Sequence, residues 1–199
     1  MNQQAESILR EVKKAIVGKD EVVARALMVV LSRGHILLED VPGVGKTTLA
    51  LAFSRAMGIE YRRVQFTPDV VPSDILGFSI YDKETGNLVY KPGAVMCNLL
   101  LADEINRTSS KTQSALLEVM EERQVSIDGV THALPDPFLV IATQNPVGAA
   151  GTQLLPQAQL DRFMARLKMG YPDFNSQVRI LRDRKGENPL NQVSQAVDA

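Results

Sequence analysis

The sequence predicts an α/β domain of three layers, with a mainly parallel sheet and two β-hairpin insertions. Two observations predict it. Short, continuously apolar runs alternate with segments of helical apolar spacing, and runs without polar alternation are what strands covered by helices on both faces require. Between such pairs, two stretches of different texture carry period-two patterns flanked by turn residues, as hairpins do.

The elements follow in order. Glu6 to Ile16 places Ile8, Leu9, Val12 and Ile16 at helical spacing and ends at Val17-Gly18. Asp20 is a suitable N-cap for a second helix, which closes on the basic turn and glycine of Arg33-Gly34. His35 to Glu39 is a short apolar strand leading into Val41-Pro42-Gly43-Val44-Gly45, and a helix follows from Lys46 to about Met57, with Gly58 as its stop. Tyr61 to Phe66 reads as the next strand. From Thr67 to Gly93, prolines and glycines punctuate two alternating stretches, Phe78 to Tyr81 and Leu88 to Tyr90, read as the first inserted hairpin. Asn98 to Ala102 is a buried strand ending in Asp103-Glu104, and Ser109 or Ser110 caps a helix reaching about Arg123, with Leu116, Leu117 and Met120 inward. The second hairpin turns at Asp128-Gly129 between 125–127 and 130–132. Phe138 to Ala142 is a strand running out into Thr143-Gln144-Asn145-Pro146 and a polar, glycine-rich loop. A short helix near Gln157 to Phe163, a strand at Ala165 to Met169 and a helix at Phe174 to Arg184 complete the pattern, which fades after Gly186.

Composition removes several classes. The chain has 199 residues, 45% hydrophobic and 23% charged, which excludes disorder and fibrous repeats. A single cysteine, Cys97, permits neither a disulfide framework nor a cysteine metal cluster. The N-terminal segment lacks the apolar stretch of a signal peptide, and the run Ala26 to Leu31 falls far short of the roughly 20 residues that span a bilayer. The expected location is the cytoplasm, with no membrane insertion. With 22 basic and 23 acidic residues and no basic stripe beyond pairs such as Arg62-Arg63, nucleic acid is not an expected partner.

Gly43-Val44-Gly45-Lys46-Thr47 has the pattern of a phosphate-binding loop. Glycines turn backbone N–H groups inward around phosphate oxygens, Lys46 supplies a point charge, and the Thr47 hydroxyl can ligate magnesium. The full pattern asks for glycine where this chain has Asp40. A carboxylate there must point away from the phosphates, and Asp is among the residues that tolerate a left-handed backbone. Asp103 and Glu104 end a second buried strand, where one acid can hold magnesium and the next can orient or deprotonate water. Asn145 ends another strand, where an amide can hold that water or the terminal phosphate. Arg162 reads from spacing either as a structural partner of Asp161 or as a functional cation. His35 and His132 read as strand residues and Cys97 as core.

Taken together, the segment Leu37 to Leu49, QFTPDVVPSDILG (65–77), LADEINRTSSKTQSALLEVMEE (101–122), IATQNP (141–146) and LPQAQLDRF (155–163) resemble the MoxR family of AAA+ ATPases over nearly the whole chain. The resemblance implies a P-loop NTPase core of AAA+ type hydrolysing ATP with Mg2+. It implies that Val17 and Gly18 lie beside the adenine, and that Gly43, Val44, Gly45, Lys46, Thr47 and Thr48 hold the nucleotide. Thr47 and Asp103 hold magnesium, Glu104 is the catalytic base, Asn145 the sensor, and Arg162 an arginine finger reaching a neighbouring subunit. It further implies a chaperone-like role in remodelling protein clients or assembling metal cofactors. The expected assembly is a homo-oligomeric ring, with a hexamer foremost, beside a partner with a von Willebrand factor A domain.

Two positions depart from the family besides Asp40: Lys19 stands where glutamine is frequent, and Gln157 where glutamate is frequent. AAA+ proteins carry a helical lid after the α/β core. Residues 1–186 are expected to be that core and 187–199 a linker toward the lid, so the sequence is expected to be a piece of a longer protein. The alternatives are a magnesium-chelatase-type motor subunit and an ATP-dependent binding switch with little turnover. A small-molecule P-loop kinase fits less well, because paired acids and a sensor asparagine suit water as the acceptor.

Overall fold

The structure is a computed structural model, and it describes residues 3–145, 155–183 and 188–197. Pro146 and the glycine-rich loop after it, the expected helix end at Arg184, and Gly186 lie outside the described residues.

Five parallel strands form the central sheet: β1 (Ile36–Glu39), β2 (Tyr61–Gln65), β5 (Leu99–Asp103), β8 (Leu139–Gln144) and β9 (Ala165–Leu167), in the spatial order β2-β5-β8-β1-β9. Side chains alternate across a strand, so each apolar run feeds two cores. Leu99 and Leu101 face one layer, made by helices α1 (Gln3–Ala15), α2 (Asp20–Leu31) and α3 (Lys46–Met57). Leu100 and Ala102 face the other, made by α4 (Pro72–Leu76) and α5 (Ser110–Glu122). That division is the three-layer arrangement the uninterrupted apolar runs predict.

Both hairpins are present. β3 (Gly77–Tyr81) pairs antiparallel with β4 (Leu88–Pro92), and β6 (Gln124–Ile127) with β7 (Val130–Ala133). Asp128 and Gly129 both have positive φ, 51° and 77°, as a two-residue hairpin turn of right-handed twist demands. The hairpins meet where Tyr90 stacks on His132, with ring centroids 3.9 Å apart. Two short helices, α6 (Gln157–Leu160) and α7 (Phe174–Asp183), flank β9.

Several expectations are corrected. Asp20 does not cap α2: Lys19 occupies the N-cap position, and the Asp20 carboxylate accepts from Lys13 Nζ at 2.9 Å. The segment between β2 and the first hairpin contains α4, a helix too short to leave a periodic signature. The strand expected to reach Met169 ends at Leu167. Apart from these corrections, the described residues 188–197 pack against the α1–α3 layer. Val193 is buried, Ala196 N–H donates to Ala56 O at 2.8 Å, and Ser194 N–H donates to Glu11 at 2.9 Å.

His35 and Cys97 are buried, as read. His35 ties the layers together: its Nδ1 accepts from Val140 N–H at 3.0 Å, and its Nε2–H donates to Met120 O at 3.1 Å. Burial lowers its pKa to about 4. Burial likewise pushes the Cys97 thiol up to about 11, which keeps it protonated and inert.

Candidate functional site

In an open parallel sheet, ligands bind beyond the carboxyl ends of the strands. Here the carboxyl ends of three adjacent strands carry the residues singled out from the sequence. β1 ends before Asp40 and the glycine loop, β5 ends in Asp103 with Glu104 directly after it, and β8 ends before Asn145.

The loop from Asp40 to Gly45 turns into α3 through two left-handed glycines, Gly43 at φ 86° and Gly45 at φ 98°. Residues with a Cβ would strain there. Lys46 begins α3 and is buried; its Nζ donates to the carbonyls of Asp40 at 2.7 Å and Val41 at 2.9 Å. Burial lowers its pKa, opposed by the carboxylates of Asp103, Asp40 and Glu104. Asp40 does not use the left-handed backbone that Asp tolerates. Its carboxylate is turned onto Val41 N–H at 2.9 Å and Gly170 N–H, so it binds the loop to the segment after β9.

The paired acids are held differently. Asp103 is nearly buried. Its Oδ1 accepts from the Thr143 hydroxyl at 2.6 Å, and its Oδ2 from the Arg63 guanidinium at 2.7 Å. Glu104 takes a left-handed conformation, φ 59° and ψ 47°; its N–H donates to the same Thr143 hydroxyl at 2.8 Å. Its carboxylate accepts from Asn145 Nδ2 and from Arg107, each at 2.9 Å. Asn145 Oδ1 is buried and has no hydrogen-bond partner among the described residues, so it is free to accept from a water.

Beside the glycine loop lies a cavity of about 810 Å³. Val17, Gly43, Val44, Gly45 and Thr48 line it, together with Tyr171 and Leu190. Gly18 is not among its walls; a Cβ there would stand 2.2 Å from Ser176 Oγ, so glycine lets α7 approach. Lys19 closes the same side, donating from Nζ to Tyr171 O at 2.6 Å. Arg162 stands apart from these groups, paired with Glu121 of α5 at 2.8 Å rather than with Asp161.

The hard oxygen donors of Thr47 and Asp103 suit magnesium. Among the described residues no cluster of three or more His, Cys, Asp or Glu could hold a metal. A divalent ion here would complete its shell with phosphate and water oxygens, which is how magnesium is usually held. The sequence alone does not single out Thr143, Arg63 or Arg107. Arg63 reads there as one of a basic pair, although its place two residues before Gln65 puts both on one face of β2.

The pattern of the family described as "ATPase family associated with various cellular activities (AAA)" matches residues 35–165. The chain is 49% identical over 189 residues to YeaC of Bacillus subtilis (strain 168), covering 95% of this chain and 59% of that protein. It is 53% identical over 167 residues to Chaperone MoxR1 of Mycobacterium tuberculosis, covering 84% of this chain and 44% of that protein. The chain thus spans about half the length of these curated relatives. A crystal structure from Cytophaga hutchinsonii, of a protein assigned as an ATPase, superposes with a TM-score of 0.84 at 42% identity, covering 98% of this chain and 59% of that one. Sheet order, glycine loop, paired acids and these relatives agree: the chain belongs to the MoxR family of AAA+ ATPases.

Proposed function

We propose that this domain binds ATP with magnesium and hydrolyses it, as the engine of a chaperone-like machine. The observation that carries the proposal is the convergence on one edge of the sheet of a buried lysine under a glycine loop and two differently held acids. In this reading the adenosine part occupies the cavity along Val17, Gly43, Val44, Gly45 and Thr48, with Gly18 behind its wall. Lys46 exchanges its loop carbonyls for the outer phosphates. Thr47 and Asp103 would hold a magnesium ion, and such an ion would supply neutralising charge to the phosphates. Glu104 accepts a proton from the attacking water, Asn145 orients that water, and Arg162 acts on the nucleotide of a neighbouring subunit in a homo-oligomeric ring, a hexamer foremost.

Residues 1–186 are the ATPase core of this scheme and 187–199 lead toward a helical lid. The name of the Mycobacterium relative supports remodelling of protein clients as the use made of the energy. Metal-cofactor assembly, a von Willebrand factor A domain partner and a cytoplasmic location belong to the same proposal. No helix among the described residues is long and apolar enough to cross a membrane.

Two variants test the proposal. Lys46→Ala should weaken ATP binding at least tenfold, about 1.4 kcal/mol. Glu104→Gln should leave affinity intact and lower phosphate release by about 10²-fold or more, the contribution of a positioned base. Measuring phosphate without any added acceptor also separates hydrolysis from kinase chemistry. An unchanged affinity in the first variant, or unchanged turnover in the second, refutes the corresponding role.

A further inference from the structure

We propose that Arg107 is a positioning residue for the hydrolytic step, fixing the Glu104 carboxylate; the inference rests on Glu104 being the base. Arg107 closes the single 3-10 turn Ile105–Arg107 that follows β5, and its N–H donates to Glu104 O at 3.0 Å. That backbone bond closes the chain from Glu104 to Arg107 into one turn and brings position 107 back beside Glu104. Its guanidinium donates to Glu104 Oε2 at 2.9 Å while the Asn145 amide donates to Oε1 at the same distance.

A carboxylate has about four acceptor sites, so two donors fix its plane and leave a lone pair on each oxygen for water. The neighbour of Arg107 serves the same end. Asn106 is buried, and its Nδ2 donates to the backbone carbonyl of Asn145 at 3.3 Å. One turn of chain thus holds Glu104 directly and steadies the other donor, so the base and the sensor are set relative to each other.

Stability does not account for this pairing. The Arg107 side chain is 43% exposed, and ion pairs at that exposure contribute little to stability. Placement is a stronger effect: an error of about 1 Å at a reacting group can cost on the order of 10²-fold in rate. The left-handed backbone of Glu104, unfavourable for a residue with a Cβ, adds a reason to anchor its side chain.

The test compares Arg107→Ala, Arg107→Lys and Glu104→Gln, alone and combined, by phosphate release and by the side-chain amide signals of Asn145 in NMR. Arg107→Ala should lower kcat between about tenfold and 10²-fold, with KM for ATP within about twofold and an unfolding midpoint close to that of the parent. Arg107→Lys, which keeps a charged donor, should recover most of the loss. In the Glu104→Gln background Arg107→Ala should change the residual rate less than about twofold, because the group it positions is gone. Independently of turnover, the Asn145 amide protons should shift in Arg107→Ala as the Glu104 contact loosens. An unchanged or raised kcat, a loss confined to KM, additive losses in the double variant, or an unmoved Asn145 amide signal would each overturn the inference while leaving Glu104 as the base. Full turnover in Glu104→Gln alone would remove the base itself and the inference with it.

Discussion

The hydroxyl of Thr143 offers a direct measure of how tightly the paired acids are built into the fold. Thr143 is fully buried, donates to Asp103 Oδ1 at 2.6 Å and accepts from Glu104 N–H at 2.8 Å. Thr143→Val keeps the volume and removes both bonds. A hydrogen bond to a charged group is worth about 1.5–3 kcal/mol, and a buried N–H left without a partner costs about 1–3 kcal/mol. Asp103 keeps its Arg63 contact, which favours the lower ends of these ranges. The expected loss is about 3 kcal/mol, seen as a fall in melting temperature of about 6–12 °C for a chain of this size. Thr143→Ser is the control, since it keeps the hydroxyl and loses one methyl, about 1 kcal/mol. Urea unfolding of the three proteins ranks them: valine should be the least stable, although it is the better filler. If Thr143→Val matches or exceeds Thr143→Ser in stability, the hydroxyl is not what ties the acids to β8, and the geometry argument fails.

Two other perturbations follow from the structure. His35, neutral and bonded at both ring nitrogens, has a folded pKa of about 4 against about 6.5 unfolded, so the unfolded chain takes up the extra proton between those values. Its contribution is complete above about pH 6.5 and is lost as pH falls toward 4, on the order of 2 kcal/mol between pH 7 and pH 5; His35→Leu should flatten that part of the profile, and equal slopes would contradict the assignment. Arg162→Ala should change the melting temperature little, because its partner Glu121 is exposed and such pairs contribute about 1 kcal/mol or less. ATPase activity of the assembled ring should nonetheless fall by roughly 10³-fold or more if Arg162 serves a neighbour, and a loss of stability in place of activity would make it structural.

Much of this site was legible because its parts are contiguous in sequence. A glycine loop between a strand and a helix, and two acids at the end of an apolar strand, are local patterns whose chemistry does not depend on knowing the register. The contacts that orient them are not local. Thr143 reaches Asp103 and Glu104, and Arg63 reaches Asp103, across about forty residues and between neighbouring strands. Period-two patterning says which face a strand residue takes, but not which residue of the next strand it meets. The helix α4 is not legible for a similar reason: between Val71 and Gly77 it has too few residues to show a helical period. At Asp20 a good capping residue was available, yet Gly18 carries the chain in at φ 72° and Lys19 takes the N-cap, leaving Asp20 to pair with Lys13.

Asp40 shows how a departure from a motif can be absorbed without loss of its logic. Glycine at that point of a phosphate loop avoids presenting a side chain to the ligand. Here the side chain is present but engaged elsewhere, by Val41 N–H and Gly170 N–H, which anchors the loop to the segment after β9. The same carboxylate is one of three that oppose the effect of burial on Lys46, together with Asp103 and Glu104. Burial alone disfavours an ammonium, and the loop carbonyls that Lys46 contacts carry only partial charge. Asp40 thus offsets part of the effect of burial on Lys46 while its own carboxylate is held by backbone N–H groups. Replacing it by the glycine of the common pattern would remove both that tether and that compensating charge.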